Sequence, residues 1–191
     1  RNRFREDEAA AFIARHPDVH PDLALRAYTS RLLGAEKDLV LHGGGNTSVK
    51  IAVPMLWDPD ATEEVLFIKG SGRDLDAITP DGFTGVRLAP LRRLLQMDAL
   101  SDEDLDNQLQ VNKVRADAPY PSVEALLHAV RPYLCVGHTH SNTLLALTNQ
   151  ERGPEIIREA LGPKVAILPY AMSGLPMARA LREAYRAEPS I

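Results

Sequence analysis

Two histidines spaced two residues apart, His138-Thr139-His140, follow a short apolar run, and a glutamate, Glu124, stands 14 residues before the first of them. In an extended strand the side chains at i and i+2 share a face, so His138 and His140 project together. Two neighbouring imidazoles can share one divalent cation. A carboxylate folded back beside them equips such a site for Lewis-acid chemistry on an oxygen-bearing substrate. Between Glu124 and His138 there is room for about two helical turns, a turn at Pro132 and a return strand, a path that brings the carboxylate over the histidine pair.

Two glycine clusters offer a second kind of chemistry. His42-Gly43-Gly44-Gly45-Asn46-Thr47-Ser48 combines three glycines with hydrogen-bonding side chains, and Gly70-Ser71-Gly72-Arg73 also follows an apolar run. Glycine lets backbone N–H groups approach an anion closely and adopt positive φ, the makings of an anion-binding nest. Asn46, Thr47 and Ser48 add neutral donors suited to phosphate oxygens. Either cluster alone is explained by a tight turn. Neither has the spacing of a dinucleotide fingerprint or a P-loop, and residues 43–45 precede a strand-like stretch rather than a helix, which argues against a dinucleotide or nucleoside triphosphate.

The elements that must position these residues alternate. Helices are predicted over 4–15, 23–33 (capped by Asp22 and stopped by Gly34), 91–97, 102–115 (capped by Ser101), from Ser122 through Glu124, and over 142–148, 155–161 and 176–186. Strands are predicted over 39–41, 47–53, 65–68, 133–137 and 165–169, with 54–62, which holds Trp57, as a loop. Strands interleaved with helices imply a central sheet covered on both faces, an α/β/α sandwich.

Composition narrows the functional classes. A chain of 191 residues with 45% hydrophobic residues fits one domain with a sizeable core. Lys and Arg total 22 against 26 Asp and Glu, a net charge of −4, which argues against a nucleic-acid or anionic-membrane partner. No apolar run approaches the length of a bilayer span. Residues 1–8 are charged rather than apolar, so no secretory signal is visible, and the lone cysteine, Cys135, excludes an intrachain disulfide; a reducing, cytoplasmic setting is expected. Within Tyr133-Leu134-Cys135-Val136 the thiol reads as a small buried hydrophobe.

Four motifs now stand in order: His42-Gly43-Gly44-Gly45-Asn46-Thr47-Ser48, Lys69-Gly70-Ser71-Gly72, Pro121-Ser122-Val123-Glu124 and His138-Thr139-His140. In this order they resemble class II aldolase/adducin domains, and most of all the aldolase half of bifunctional rhamnulose-1-phosphate aldolase/short-chain dehydrogenase proteins. The Ser101-Asp102-Glu103 helix start and Leu144-Leu145-Ala146-Leu147-Thr148-Asn149 belong to that subgroup, and the likeness runs from about residue 28 to 186. The resemblance implies a three-layer α/β/α sandwich around a mixed, largely antiparallel sheet. It implies a zinc ion, or another divalent metal, on His138 and His140. It implies Glu124 as the base that deprotonates dihydroxyacetone phosphate, with Gly45, Asn46, Ser71, Gly72 and Ser122 holding the substrate phosphate. The implied reaction is cleavage of a rhamnulose-1-phosphate-like ketose 1-phosphate to dihydroxyacetone phosphate and an aldehyde, by a homotetramer.

One departure matters. Family members place a third metal-binding histidine on a later strand, whereas here no histidine follows His140. The expectation is one domain over 1–191, truncated on its C-terminal side, with a fused dehydrogenase domain in the parent. Truncation leaves open that this fragment is itself inactive. His42 flanks the phosphate loop and is not expected to be a ligand. His128, at i+4 from Glu124, reads as a helix-face histidine bonded to Glu124 or to solvent. His16 and His20 read as solvated. Two other readings stay open: a sister sugar-phosphate epimerase or dehydratase using the same devices, and a non-catalytic adducin-like interaction module.

Overall fold

The structure, a computed structural model, describes residues 2–189. Two N-terminal helices, α1 (Glu6–Ala14) and α2 (Pro21–Gly34), lead into a long hairpin of β1 (Asn46–Met55) and β2 (Asp58–Lys69). Then come β3 (Phe83–Arg87), α3 (Leu88–Leu94), α4 (Asp102–Val111), α5 (Ala125–Val130), β4 (Cys135–His138), α6 (Asn142–Thr148), α7 (Gly153–Leu161) and α8 (Leu175–Ala187). The strands form one open sheet in the order β3-β2-β1-β4, antiparallel at each pairing, so the largely antiparallel sheet expected is wholly so among the described residues.

Strand alternation divides the core into two layers. On one face Val49 and Ile51 of β1 pack with Ala9 and Phe12 of α1 and Ala24, Ala27 and Tyr28 of α2. On the other, Leu66 and Ile68 of β2 and Val86 of β3 meet Leu91 of α3, Leu105 and Leu109 of α4, Leu126 of α5 and Ala178 of α8. Helices therefore cover both faces, the three-layer arrangement read from the sequence. Local chemistry starts the helices: the Ser101 hydroxyl accepts from the Asp104 N–H at 3.0 Å, with three acidic residues in the first turn of α4. Among the described residues, no helix is long and apolar enough to cross a membrane.

Several elements depart from the expectation. Residues 39–41 form a turn and coil, and 165–169 are coil, because neither segment finds a strand to pair with among the described residues. Strand β3 was not expected; Gly85 interrupts its apolar alternation, yet its backbone closes a ladder with residues 65–69. The stretch around Trp57 is not a loop but the tip of the β1–β2 hairpin, with Leu56 and Trp57 93% and 73% exposed. His20 rather than Asp22 caps α2, its Nδ1 accepting from the Asp22 N–H at 3.2 Å. Helix α4 stops at Val111, where Asn112 turns the chain so that Lys113 can bridge to Val86.

Candidate functional site

The β1–β4 register sets the site. Asn46, the first residue of β1, lies opposite His138, the last of β4. Just before Asn46, Gly45 has φ +65°, and a Cβ there would come within 2.6 Å of Val40 Cγ1 and 2.8 Å of the His138 carbonyl oxygen, so the turn into β1 requires glycine on both counts. Beyond β4, the His140 N–H donates to the Leu39 carbonyl oxygen at 2.8 Å, and the two imidazoles lie edge to face with centroids 4.7 Å apart. The convergence of His138 and His140 expected from their spacing is thus reached, although only His138 belongs to the strand.

Glu124 does not ride a helix, as the sequence suggested; it occupies the N-cap position of α5, where Ser122-Val123-Glu124 turn before the helix begins. Its Oε2 accepts from His138 Nδ1 at 2.6 Å and from Asn46 Nδ2. Burial pushes the carboxyl up, but these two hydrogen bonds and the nearby imidazoles outweigh it and hold the group at about 2. Glu124 is therefore a carboxylate at neutral pH. With Nδ1 engaged by Glu124, Nε2 is the nitrogen that His138 could turn toward a metal ion.

The two glycine loops meet beside this cluster. An isolated bridge between Gly70 and Pro121 sets the second loop against the Ser122 turn, and a Cβ on Gly43 would lie 3.8 Å from Gly72 Cα. Ser122 Oγ accepts from Asn46 Nδ2 at 3.4 Å and from the Glu124 N–H at 3.3 Å. Between the loops lies a cavity of about 200 Å³ whose walls include Gly45, Asn46, Ser71, Gly72, Ser122 and Glu124, together with His138 and His140. Every site residue expected from the sequence thus lines one cavity. Glu124, His138 and His140 also border a larger cavity of about 810 Å³ on the far side, walled by Leu127, Leu168 and Met177.

The surroundings depart from the expectation at several residues. Cys135 is exposed rather than core, because it borders the larger cavity instead of packing against a neighbouring layer. His128 is 2% exposed and pairs with Ser48 Oγ at 2.7 Å across the sheet, not with Glu124 or solvent; burial drops it to about 3, so it is neutral. Lys69, which appeared in the sequence only as part of its motif, is 3% exposed and its Nζ donates to the Gly43 and Arg73 carbonyl oxygens, both at 2.8 Å. A lysine ending an apolar strand before a glycine turn was its only trace in the sequence. His16 stacks on Phe12 with centroids 4.8 Å apart instead of standing free in solvent.

Paired imidazole nitrogens beside a carboxylate fit a borderline-soft divalent cation such as zinc. Among the described residues no three His, Cys, Asp or Glu side chains are grouped to hold a metal ion, so the pair makes an incomplete ligand set.

Sandwich, glycine loops and histidine pair point to the family that the ordered motifs resemble, and comparison with known proteins agrees. The model of the family described as Class II Aldolase and Adducin N-terminal domain matches residues 24–190. The chain belongs to this family. It is 37% identical to the N-terminal class II aldolase domain of a conserved protein from Thermoplasma acidophilum, with a TM-score of 0.79 over 85% of this chain and 74% of that one. It is also 31% identical over 162 residues to YuxG of Bacillus subtilis, described as an uncharacterized oxidoreductase. That match takes in 85% of this chain but 23% of the relative, so the chain spans about a quarter of YuxG's length.

Proposed function

We propose that the chain is the aldolase part of an enzyme that cleaves a ketose 1-phosphate, rhamnulose-1-phosphate or a close analogue, to dihydroxyacetone phosphate and an aldehyde. The observation that carries this reading is a single cavity walled by Glu124, His138 and His140 together with two glycine loops. Such a cavity suits a short substrate with a reacting carbon at one end and a phosphate at the other. A divalent cation, zinc in our reading, held by His138 and His140 would supply Lewis-acid polarisation of the substrate's ketone and hydroxyl oxygens.

Glu124 takes the proton from the carbon beside the ketone in the synthetic direction. Its low proton affinity at rest reflects the His138 and Asn46 hydrogen bonds, and exchanging these for substrate contacts raises its basicity where the proton is taken. Asn46 and Ser122 hold the carboxylate and its turn in place, and Ser71 and Gly72 face the phosphate end. For the parent protein, the oxidoreductase description and far greater length of YuxG support a dehydrogenase portion beside the aldolase part. We take the assembled parent to be a homotetramer.

Exchange of the dihydroxyacetone phosphate C–H proton with solvent deuterium tests the assignment without any aldehyde. In the parent enzyme Glu124→Gln should retain metal and lower exchange by roughly two to four orders of magnitude, the scale for losing a general base. Wild-type exchange in the variant would move the base elsewhere, and no exchange in the metal-loaded wild type would remove the aldolase reading.

A further inference from the structure

One face of β1 is polar where it meets α5. Asn46, Ser48 and Lys50 are alternate residues of β1, so they share that face, and all three are buried. Each is bonded to the segment that runs from Glu124 through α5 into β4. Asn46 Nδ2 donates to Glu124 Oε2, Ser48 Oγ and His128 Nδ1 are joined at 2.7 Å, and Lys50 Nζ donates to the Tyr133 carbonyl oxygen at 2.6 Å. The opposite face of β1 carries Val49 and Ile51 into the apolar layer of α1 and α2.

The middle bond has no part in the chemistry described so far, yet its two side chains are almost wholly out of solvent. Ser48, grouped in the sequence with donors for phosphate, points instead to the core. The spacing of this bond matches that of the Asn46–Glu124 bond beside it. Ser48 lies two strand residues beyond Asn46, about 7 Å. His128 lies four residues beyond Glu124, about 6 Å along a helix, and its backbone N–H donates to the Glu124 carbonyl oxygen at 3.2 Å. The two side-chain bonds therefore run in step, one at the carboxylate and one a helical turn further on.

Apolar contacts alone set the height of α5 loosely. The helix has six residues, of which Ala125, Leu126 and Ala129 pack in the layer that holds Leu66 and Ile68. Such burial is non-directional and tolerates sliding of a short helix. A hydrogen bond weakens steeply away from its preferred length and angle. A buried neutral pair adds little net stability over apolar groups of the same shape, so what it contributes here is register.

We infer that Ser48 and His128 are positioning residues for Glu124: their bond fixes α5 along β1 so that the carboxylate at its N-cap accepts from both Asn46 and His138. For its kinetic consequence the inference rests on the reading of Glu124 as the base.

The test replaces both partners at once. Ser48→Ala combined with His128→Leu removes the bond without stranding a polar group, so the double variant should fold with a melting temperature near that of wild type. In this chain the NMR signals of the Asn46 side-chain amide should nevertheless move toward those of a solvated asparagine, and the His138 ring signals should shift with them. His128→Asn, which keeps a polar atom at the Nδ1 position, should hold both near wild type. In the metal-loaded parent enzyme the double variant should lower kcat for dihydroxyacetone phosphate proton exchange roughly 10- to 100-fold, the scale for misplacing a catalytic group by about 1 Å, with KM within about threefold. His128→Asn should recover most of that rate. If the double variant does not fold, Ser48→Ala alone supplies the same comparison. Wild-type Asn46 and His138 signals in the folded variant, or an equal loss of rate in it and in His128→Asn, would overturn the inference and leave Glu124 as the base. Absence of exchange in the metal-loaded wild type would remove the aldolase reading, while the signals of this chain, which need neither metal nor substrate, would still decide the positioning.

Discussion

The two strands that meet at the site, β1 and β4, are built in opposite ways. β1 lies between two neighbours and its residues 46–51 are all buried, with Ser48 and Val49 paired on both sides. β4 is four residues long, pairs with β1 alone among the described residues, and alternates exposed with half-buried positions. The helix after it, α6, has no buried residue, and Leu144 and Leu145 lie 42% and 44% exposed. The glycine-loop side of the cavity is thus tied to the interior strands, through Asn46 of β1 and Lys69 of β2, whereas His138 and His140 hang on the sheet's edge. Interior strands can hold a side chain to a fraction of an ångström because its neighbours are close-packed. An edge strand has one ladder and whatever tethers the loops add, here the His140–Leu39 hydrogen bond.

Truncation of a core leucine gives the largest contrast. Leu66, fully buried between the sheet and α3, should lose about 2–5 kcal/mol on substitution by alanine, while Leu145→Ala should stay within about 0.5 kcal/mol. Denaturant unfolding of both variants measures the pair, and similar losses would show that the edge is packed as tightly as the interior.

Next come the two positive-φ glycines of the loops. Gly45→Ala combines left-handed strain with close contacts to Val40 and the His138 carbonyl, and should cost about 2–4 kcal/mol and disturb the His138 ring signals. Gly72→Ala has a φ of +73° but meets nothing within 4 Å, so about 1 kcal/mol of backbone strain is its whole expected cost. Reversed magnitudes would mean that Gly72, not Gly45, governs how the loops meet.

The smallest effect concerns Lys50, a buried ammonium on β1 that donates to the Tyr133 carbonyl oxygen at 2.6 Å. Burial, and secondarily Arg92, lowers it from 10.5 to about 8, against the pull of the Cys135 and Glu64 charges. Between those two pH values the unfolded chain holds more protons than the folded one, so stability rises with pH across the window, and the burial penalty is present in full below pH 8. Lys50→Met should remove this rise, and melting temperatures between pH 7 and 10.5 would show it. A slope unchanged in the variant would assign the rise to other groups.

Much of the site was legible beforehand because its logic is local. The His-x-His spacing brought His138 and His140 together, although only His138 lies in the strand, while Gly45 and Asn46 were singled out by the resemblance to the family. Glu124 was found by type and distance, but its place at the N-cap rather than on the helix depends on the Ser122 turn docking beside the Gly70 loop. Cys135 and His128 were both misjudged, and for one reason. Burial is a property of what packs against a residue from distant parts of the chain, and local sequence context cannot say that Cys135 borders a cavity while His128 packs against Ser48.

Composition, alternation of elements and four ordered motifs by themselves determined the α/β/α class, the family resemblance and the list of residues at the site. These rest on contacts within a few residues, which spacing encodes directly. Tertiary structure alone decided that β3 joins the sheet, that Trp57 tips a hairpin, and that residues 39–41 and 165–169 stay out of the ladder. It alone showed that Lys69 bridges the Gly43 and Arg73 carbonyl oxygens. Those facts depend on which distant carbonyl each donor meets, and the pairing exists only once the chain has folded.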